Sequence, residues 1–301
     1  MHSRKDVRPE QTQMLLNSGF LPVSIDYRLC PEVSLVQGGM VDACDALYWA
    51  RKILPTLDLP GRPDLRADGE RVVAVGWSSG GLLALSLGWT AASRGINPPE
   101  AVLGFYCPTD YEDPFWSQPN KPFQQEPIQL PPSHDSAGYY SPLYDGLVDH
   151  PIVSYTPKAG TRLLGGWMSL DDPRSRIVLY LNWNGHALPI LLNGLSKRDA
   201  QVAKARIPMP DRERIRSISP LAHVQNGTYR TPTFLIHGTA DDLVPVQQSQ
   251  RTMGEMVSRG IVGQLRVLEG EVHLFDMFRR GKRAGAIVEG IEFLGRHARS
   301  N

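Results

Sequence analysis

Cysteine is scarce: Cys30, Cys44 and Cys107 are the only three in 301 residues. They are too few and too scattered for a disulfide framework or a cysteine-built zinc site, so no metal is implied. Net charge is equally thin, with 32 Lys and Arg against 31 Asp and Glu. No field of one sign draws the chain toward nucleic acid or an acidic membrane. No apolar run approaches the roughly 18 residues of a membrane span. Residues Met1 to Val7 lack the apolar core of a secretory signal. No phosphate-binding glycine loop is present either, so no cofactor is implied. The expectation is a soluble, cytoplasmic protein that acts on a small molecule.

Apolar periodicity organises what remains. Pro9 to Leu16 reads as a helix that Gly19 stops. Leu21 to Tyr27 reads as a strand with Pro22 in its first turn. Met40, Cys44, Leu47 and Ala50 fall on one face of a helix over Met40 to Ile53. The run Val72-Val73-Ala74-Val75 has the continuous apolar pattern of a strand buried on both faces, and Ala101 to Tyr106 repeats it. A small-residue helix is predicted from Leu82 to Ala92, after the intervening glycine-rich turn. After a long interval the alternation resumes with a strand at Thr233 to Ile236 and a helix from Pro245 to Arg259. A strand at Leu265 to Leu268 and a terminal helix marked by Ile287, Val288, Ile291 and Leu294 complete it. Strands alternating with helices imply right-handed crossovers and a mostly parallel sheet, an α/β fold.

The interval itself differs in composition. Residues 111–225 hold 14 of the 25 prolines, which favours irregular chain over more sheet. One helix is predicted within it, with Asp172 as cap, Pro173 at the first position, and Ile177, Val178, Leu181 and Trp183 as its stripe. The expected organisation is therefore a core of residues 1–110 and 226–301 with an inserted cap at 111–225.

The chemistry concentrates at carboxyl ends of the predicted strands, where parallel sheets place their sites. Gly76-Trp77-Ser78-Ser79-Gly80 fits the G-x-S-x-G nucleophile elbow, with a strand before it and a helix after it. The turn demands small residues two before and two after the nucleophile. Gly76 and Gly80 meet that demand around Ser78, whereas Trp77 would clash if Ser79 were central. A serine hydroxyl needs a base and the base an orienting acid, in the chain order Ser, acid, His. Asp241 follows Ser78 by 163 residues and His273 follows by 32 more, each just past a predicted strand. Asp242 competes for the acid's role, and His237 is expected to brace the acid's loop. Cys107 also ends a strand, but it lacks the elbow glycines and reads as a core residue.

These motifs identify a resemblance. Asp26-Tyr27-Arg28-Leu29-Cys30-Pro31-Glu32, Gly76 to Gly81, and His237-Gly238-Thr239-Ala240-Asp241 with Val244-Pro245 resemble the α/β-hydrolase superfamily, on its hormone-sensitive-lipase-like branch. The segments Asp26 to Ala50 and Gly76 to Gly81 are similar to esterase-like hydrolases of fungal secondary-metabolite clusters. The resemblance implies Ser78 as nucleophile, His273 as base, Asp241 as its orienter, and the Ser79 N–H as one oxyanion donor. It also implies a second donor from a His-Gly-Gly-Gly loop ahead of the helix matching Ser3 to Leu16, together with further strands. The sequence opens where that loop would end, and Gly38-Gly39 follows the wrong strand to replace it. Three explanations stand open: Met1 is internal to a longer protein, the remaining strands close into a smaller sheet, or the chain is a degenerate hydrolase.

The expected function is a serine hydrolase that cleaves an ester or thioester of a small to medium acyl chain. The resemblance implies a polyketide among such chains, with an acyl carrier protein as the partner that presents it. Trp77, Leu181 and Trp183 are candidate substrate contacts. An acyltransferase or condensing enzyme with the same triad is an alternative, and a non-catalytic binding protein is another.

Overall fold

Four short apolar runs pair side by side in the computed structural model. It describes residue 4 and residues 7–118, 146–155, 172–183, 185–198, 208–277 and 282–299. The strands are β1 (Ala74–Trp77), β2 (Val102–Phe105), β3 (Thr233–Gly238) and β4 (Gly263–Leu268). They lie in the order β1-β2-β3-β4, every pair parallel, with Gly76 beside Gly104 and Gly104 beside Leu235. Among the described residues the α-helices are α1 (Pro9–Asn17), α2 (Gly39–Lys52), α3 (Ser79–Thr90), α4 (Pro173–Trp183), α5 (Ala187–Asn193), α6 (Arg212–Arg216), α7 (Pro220–Asn226), α8 (Val246–Ser258) and α9 (Lys282–Arg299). None is long and apolar enough to cross a membrane.

The chain divides into two compact units. One comprises residues 5–25, 40–110 and 219–301 and contains the whole sheet. Alternation along its strands explains why they read as unbroken apolar runs. Leu103, Phe105, Phe234 and Ile236 face a cluster with Ile287, Ile291 and Leu294 of α9, and Met14 and Leu15 of α1 pack against it. Val102 and Leu235 face the opposite cluster, with Leu85 of α3 and Met253 and Met256 of α8. β4 closes one margin with Gln264 and Arg266 among its residues, as an edge strand should.

The other unit comprises residues 1–4, 26–39 and 111–218. Helix α4 begins as its sequence predicts: the Asp172 carboxylate accepts from the Ser175 N–H at 2.8 Å, and Pro173 fills the first turn. Arg174 is buried on it and grips Glu32 at 2.5 and 2.8 Å, with a further bond to the Cys30 carbonyl at 3.1 Å. The Arg-Glu fork ties the 26–32 motif to α4 and leaves neither charge unpaired.

Two sequence expectations need correction. Leu21 to Tyr27 is not a strand, because no strand among the described residues lies beside it to complete a ladder. The run at residue 72 enters the sheet two residues later than its apolar pattern suggests. Val72 accepts one bond from Glu100, but the regular register starts at Ala74 and carries Trp77 into the strand.

Phe234 is fully enclosed between β3 and α9. Phe234→Ala should lower unfolding free energy by about 3–5 kcal/mol in urea titration. Val262→Ala, at a half-exposed position, should change it by less than about 0.5 kcal/mol.

Candidate active site

The loop after β1 turns without room for side chains. Ser78 takes a positive φ of 53°, and its amide donates to the Phe105 carbonyl at 2.9 Å. A Cβ on Gly76 would be driven into the Gly80 carbonyl, so the turn is open only to glycine at that position. The serine carbonyl then accepts from Gly81 at 2.9 Å and so starts α3. The sharp bend leaves the Ser78 side chain at the carboxyl end of the sheet.

A second close approach joins the loops after β3 and β4. A Cβ on Gly238 would strike the Glu271 carbonyl. With none there, the Thr239 amide reaches Leu268 O and the Ala240 amide reaches Glu271 O, each at 3.0 Å. These bonds bring Asp241 and His273 together from loops 32 residues apart.

His273 stands between Ser78 and Asp241. Its Nε2 lies 3.0 Å from Ser78 Oγ and its Nδ1 2.8 Å from Asp241 Oδ2. A carboxylate only accepts, so Nδ1 carries the proton and Nε2 presents its lone pair to the serine hydroxyl. Asp241 is fully enclosed. Its Oδ1 accepts the Leu243 and Val244 amides at 3.0 and 2.9 Å. Its Oδ2 also accepts from His237 Nε2 at 3.1 Å. That nitrogen faces a second acceptor, the Val244 carbonyl at 2.9 Å, so it too is protonated, while Nδ1 accepts from Ser249 at 2.8 Å. Burial alone would raise the Asp241 carboxyl. The attraction of the His273 imidazolium, the form that imidazole takes in the acid range where a carboxyl titrates, and the bonds from both imidazoles outweigh it and hold the group down at about 2. Asp242 is hydrogen-bonded to neither imidazole among the described residues; burial, with the Asp241 charge, pushes its carboxyl up.

The remaining sequence candidates fall in different places. Ser79 is exposed at the first turn of α3, directly after Ser78. Trp77 makes packing contacts: its ring stacks on Phe105 at 5.7 Å and lies under the Arg8 guanidinium at 5.6 Å. Leu181 is buried within α4. Trp183 ends that helix, and its side chain lies outside the described residues. Cys107 is enclosed against Gly81, and burial pushes its thiol up to about 12, far from a reactive thiolate. Among the described residues no cluster of three metal-binding side chains occurs. Sequence reasoning missed Tyr106, Asp276 and Arg8, which meet beside His273. Nothing in their spacing distinguished them from ordinary strand-end, loop and helix residues.

The α/β hydrolase fold family matches residues 11–165 and the prolyl oligopeptidase family matches residues 198–298. The non-reducing polyketide synthase adrD of Penicillium roqueforti is 52% identical over 307 residues, covering 99% of this chain and 12% of the synthase. The non-reducing polyketide synthase ausA of Penicillium brasilianum is 53% identical over 307 residues, with the same two coverages of 99% and 12%. The chain thus spans 12% of the length of these curated relatives. Among solved structures, an esterase/lipase from an uncultured bacterium shares the fold with a TM-score of 0.53 at 17% identity, covering 99% of this chain and 73% of that one.

The Asp241 carboxyl titrates lower in the folded chain than its ordinary 3.8. Its charge therefore stabilises the fold above about pH 4, and that contribution disappears as pH falls through about 2. Relative to Asp241→Asn, the wild type should lose about 2 kcal/mol of its stability advantage across that window, measured by urea unfolding at each pH. An advantage that stays constant would rule out a charged carboxylate as the stabilising species.

Proposed function

The chain belongs to the α/β hydrolase fold family, and on that premise we propose that it cleaves an acyl ester or thioester through an acyl-enzyme on Ser78. The observation that carries this reading is the continuous bond path from Ser78 Oγ through His273 to the enclosed Asp241. As the serine oxygen attacks the acyl carbonyl, its proton moves to His273 Nε2 and the carbonyl becomes an oxyanion. The Ser79 amide, at the first turn of α3, is the assigned donor to that oxyanion. Asp241 keeps the imidazole in the accepting tautomer and stabilises the imidazolium that forms. Collapse expels the alcohol or thiol, which takes the proton from His273. Water then repeats the sequence on the acyl-enzyme, releasing the acid and restoring the serine.

A polyketide chain on the thiol of an acyl carrier protein is the proposed natural substrate. Its support is the roughly one-half identity to proteins named as non-reducing polyketide synthases.

A fluorophosphonate probe should label the wild type at Ser78, and labelling should vanish in Ser78→Ala. Folded wild type that takes no label would replace the enzyme reading with a binding one. Asp241→Asn should slow hydrolysis of an aryl ester by about 10²–10⁴. Asp242→Asn should stay within a few-fold of wild type, and equal losses would mean that Asp241 is not the orienting acid.

A further inference from the structure

Beside the triad lies a second group of buried polar side chains that the proposed acyl transfer does not use. Asp276 follows His273 by three residues on the same loop, and its carboxylate is fully enclosed. It accepts from the Tyr106 hydroxyl at 2.5 Å, from the Gln11 amide at 2.8 Å and from Arg8 Nε at 3.1 Å. Its partners come from the end of β2 and from the start of α1. Burial, and then the Asp276 charge, push the Tyr106 hydroxyl well above its ordinary range, so the tyrosine remains the donor.

Tyr106 also reaches the other side. Its ring centroid lies 4.6 Å from that of the His273 imidazole, tilted by 59°. One side chain thus walls the imidazole with its ring and holds the imidazole's own loop with its hydroxyl. The backbone concentrates at the same place. Among the described residues, three non-glycines have positive φ: Ser78 at 53°, Tyr106 at 38° and Leu274 at 63°. The first carries the proposed nucleophile, the second flanks the proposed base, and the third follows the base in the chain. Left-handed geometry in residues with a Cβ persists only where surrounding contacts impose it. Packing alone does not call for a buried ion pair here, since apolar groups of similar volume commonly stabilise as well or better.

We propose that Arg8, Asp276 and Tyr106 form the positioning element for His273, and that their balanced charge pair sets the field in which the imidazole accepts its proton. The proposal rests on the reading of Ser78, His273 and Asp241 as an acyl-transfer site. Its physical content is that neither charge of the pair is neutral toward His273 once the other is removed. Arg8 alone disfavours the imidazolium, whereas Asp276 alone favours it. The other groups facing His273 stay the same in every variant below. They are Ser78 on the β1 turn, and Asp241 with His237 behind it and Asp242 after β3; Glu271, two positions before His273 in the chain, is paired with Arg283.

The test is the pH dependence of fluorophosphonate labelling of Ser78 across the histidine range, where the acid limb reports protonation of the base. Arg8→Gln should move that limb upward by about half a unit, and Asp276→Asn should move it downward by a similar amount. The double variant Arg8→Gln/Asp276→Asn should return the limb close to its wild-type position. Shifts in one common direction, or none, would overturn the proposal, because a merely structural role predicts no opposed pair. Tyr106→Phe keeps the ring and both charges, and it carries the test if the charge variants fold poorly. It should lower the maximal labelling rate about tenfold without moving the limb; an unchanged rate would overturn the positioning role. Wild type without label at Ser78 sinks the underlying enzyme reading, whereas labelled wild type with unshifted variants sinks this proposal alone.

Discussion

The site is organised around one carboxylate that two imidazoles share. Asp241 Oδ2 receives His273 and His237 while Oδ1 receives two backbone amides, so all of its accepting capacity is used inside the protein. An enclosed anion with fewer partners would be costly to bury or would take up a proton. Here the donors hold it ionised, and an ionised Asp241 in turn fixes the His273 tautomer that leaves a lone pair facing Ser78. The arrangement is therefore directional: the Leu243 and Val244 amides hold the Asp241 carboxylate, the carboxylate orients the His273 imidazole, and the imidazole meets the Ser78 hydroxyl.

The sheet delivers these groups through close backbone approach more than through side-chain packing. At Gly76 the missing Cβ lets the chain reverse over Gly80, and at Gly238 it lets the 271 carbonyl enter the space beside β3. A methyl group at either position would separate loops whose polar atoms must lie about 3 Å apart to bond. The apolar faces of β2 and β3, covered by α9 on one side and α3 and α8 on the other, supply the rigidity against which such spacing has meaning.

Much of this was legible in the sequence because it depends on local demands. The apolar runs at 101–106 and 233–236 mark buried parallel strands, and the flanking glycines centre the tight turn on Ser78, the residue that takes positive φ. Asp172 and Pro173 announce the start of α4, and the structure has that cap. Leu21 to Tyr27 misled because alternation records compatibility with a strand, whereas a strand also needs a second strand to pair with, and among the described residues no strand pairs with this segment. The Arg8–Asp276–Tyr106 cluster was invisible for a different reason. Its members lie up to 268 positions apart, and each is an ordinary residue for its local element. Only the folded chain reveals that Tyr106 turns left-handed at the end of β2 and touches the imidazole.

Cys107 has a practical consequence of its own. Its sulfur fills the space left by Gly81 and Gly104, directly beneath the helix that the nucleophile turn begins, and burial holds it as an unreactive thiol. Packed with Leu85, Tyr229 and Leu235, it meets an alkylating reagent only when this cluster opens. Trapping kinetics at this sulfhydryl would therefore time the opening of the layer over β2, while the Ser78 hydroxyl, after the neighbouring strand β1, is followed independently by its own electrophile.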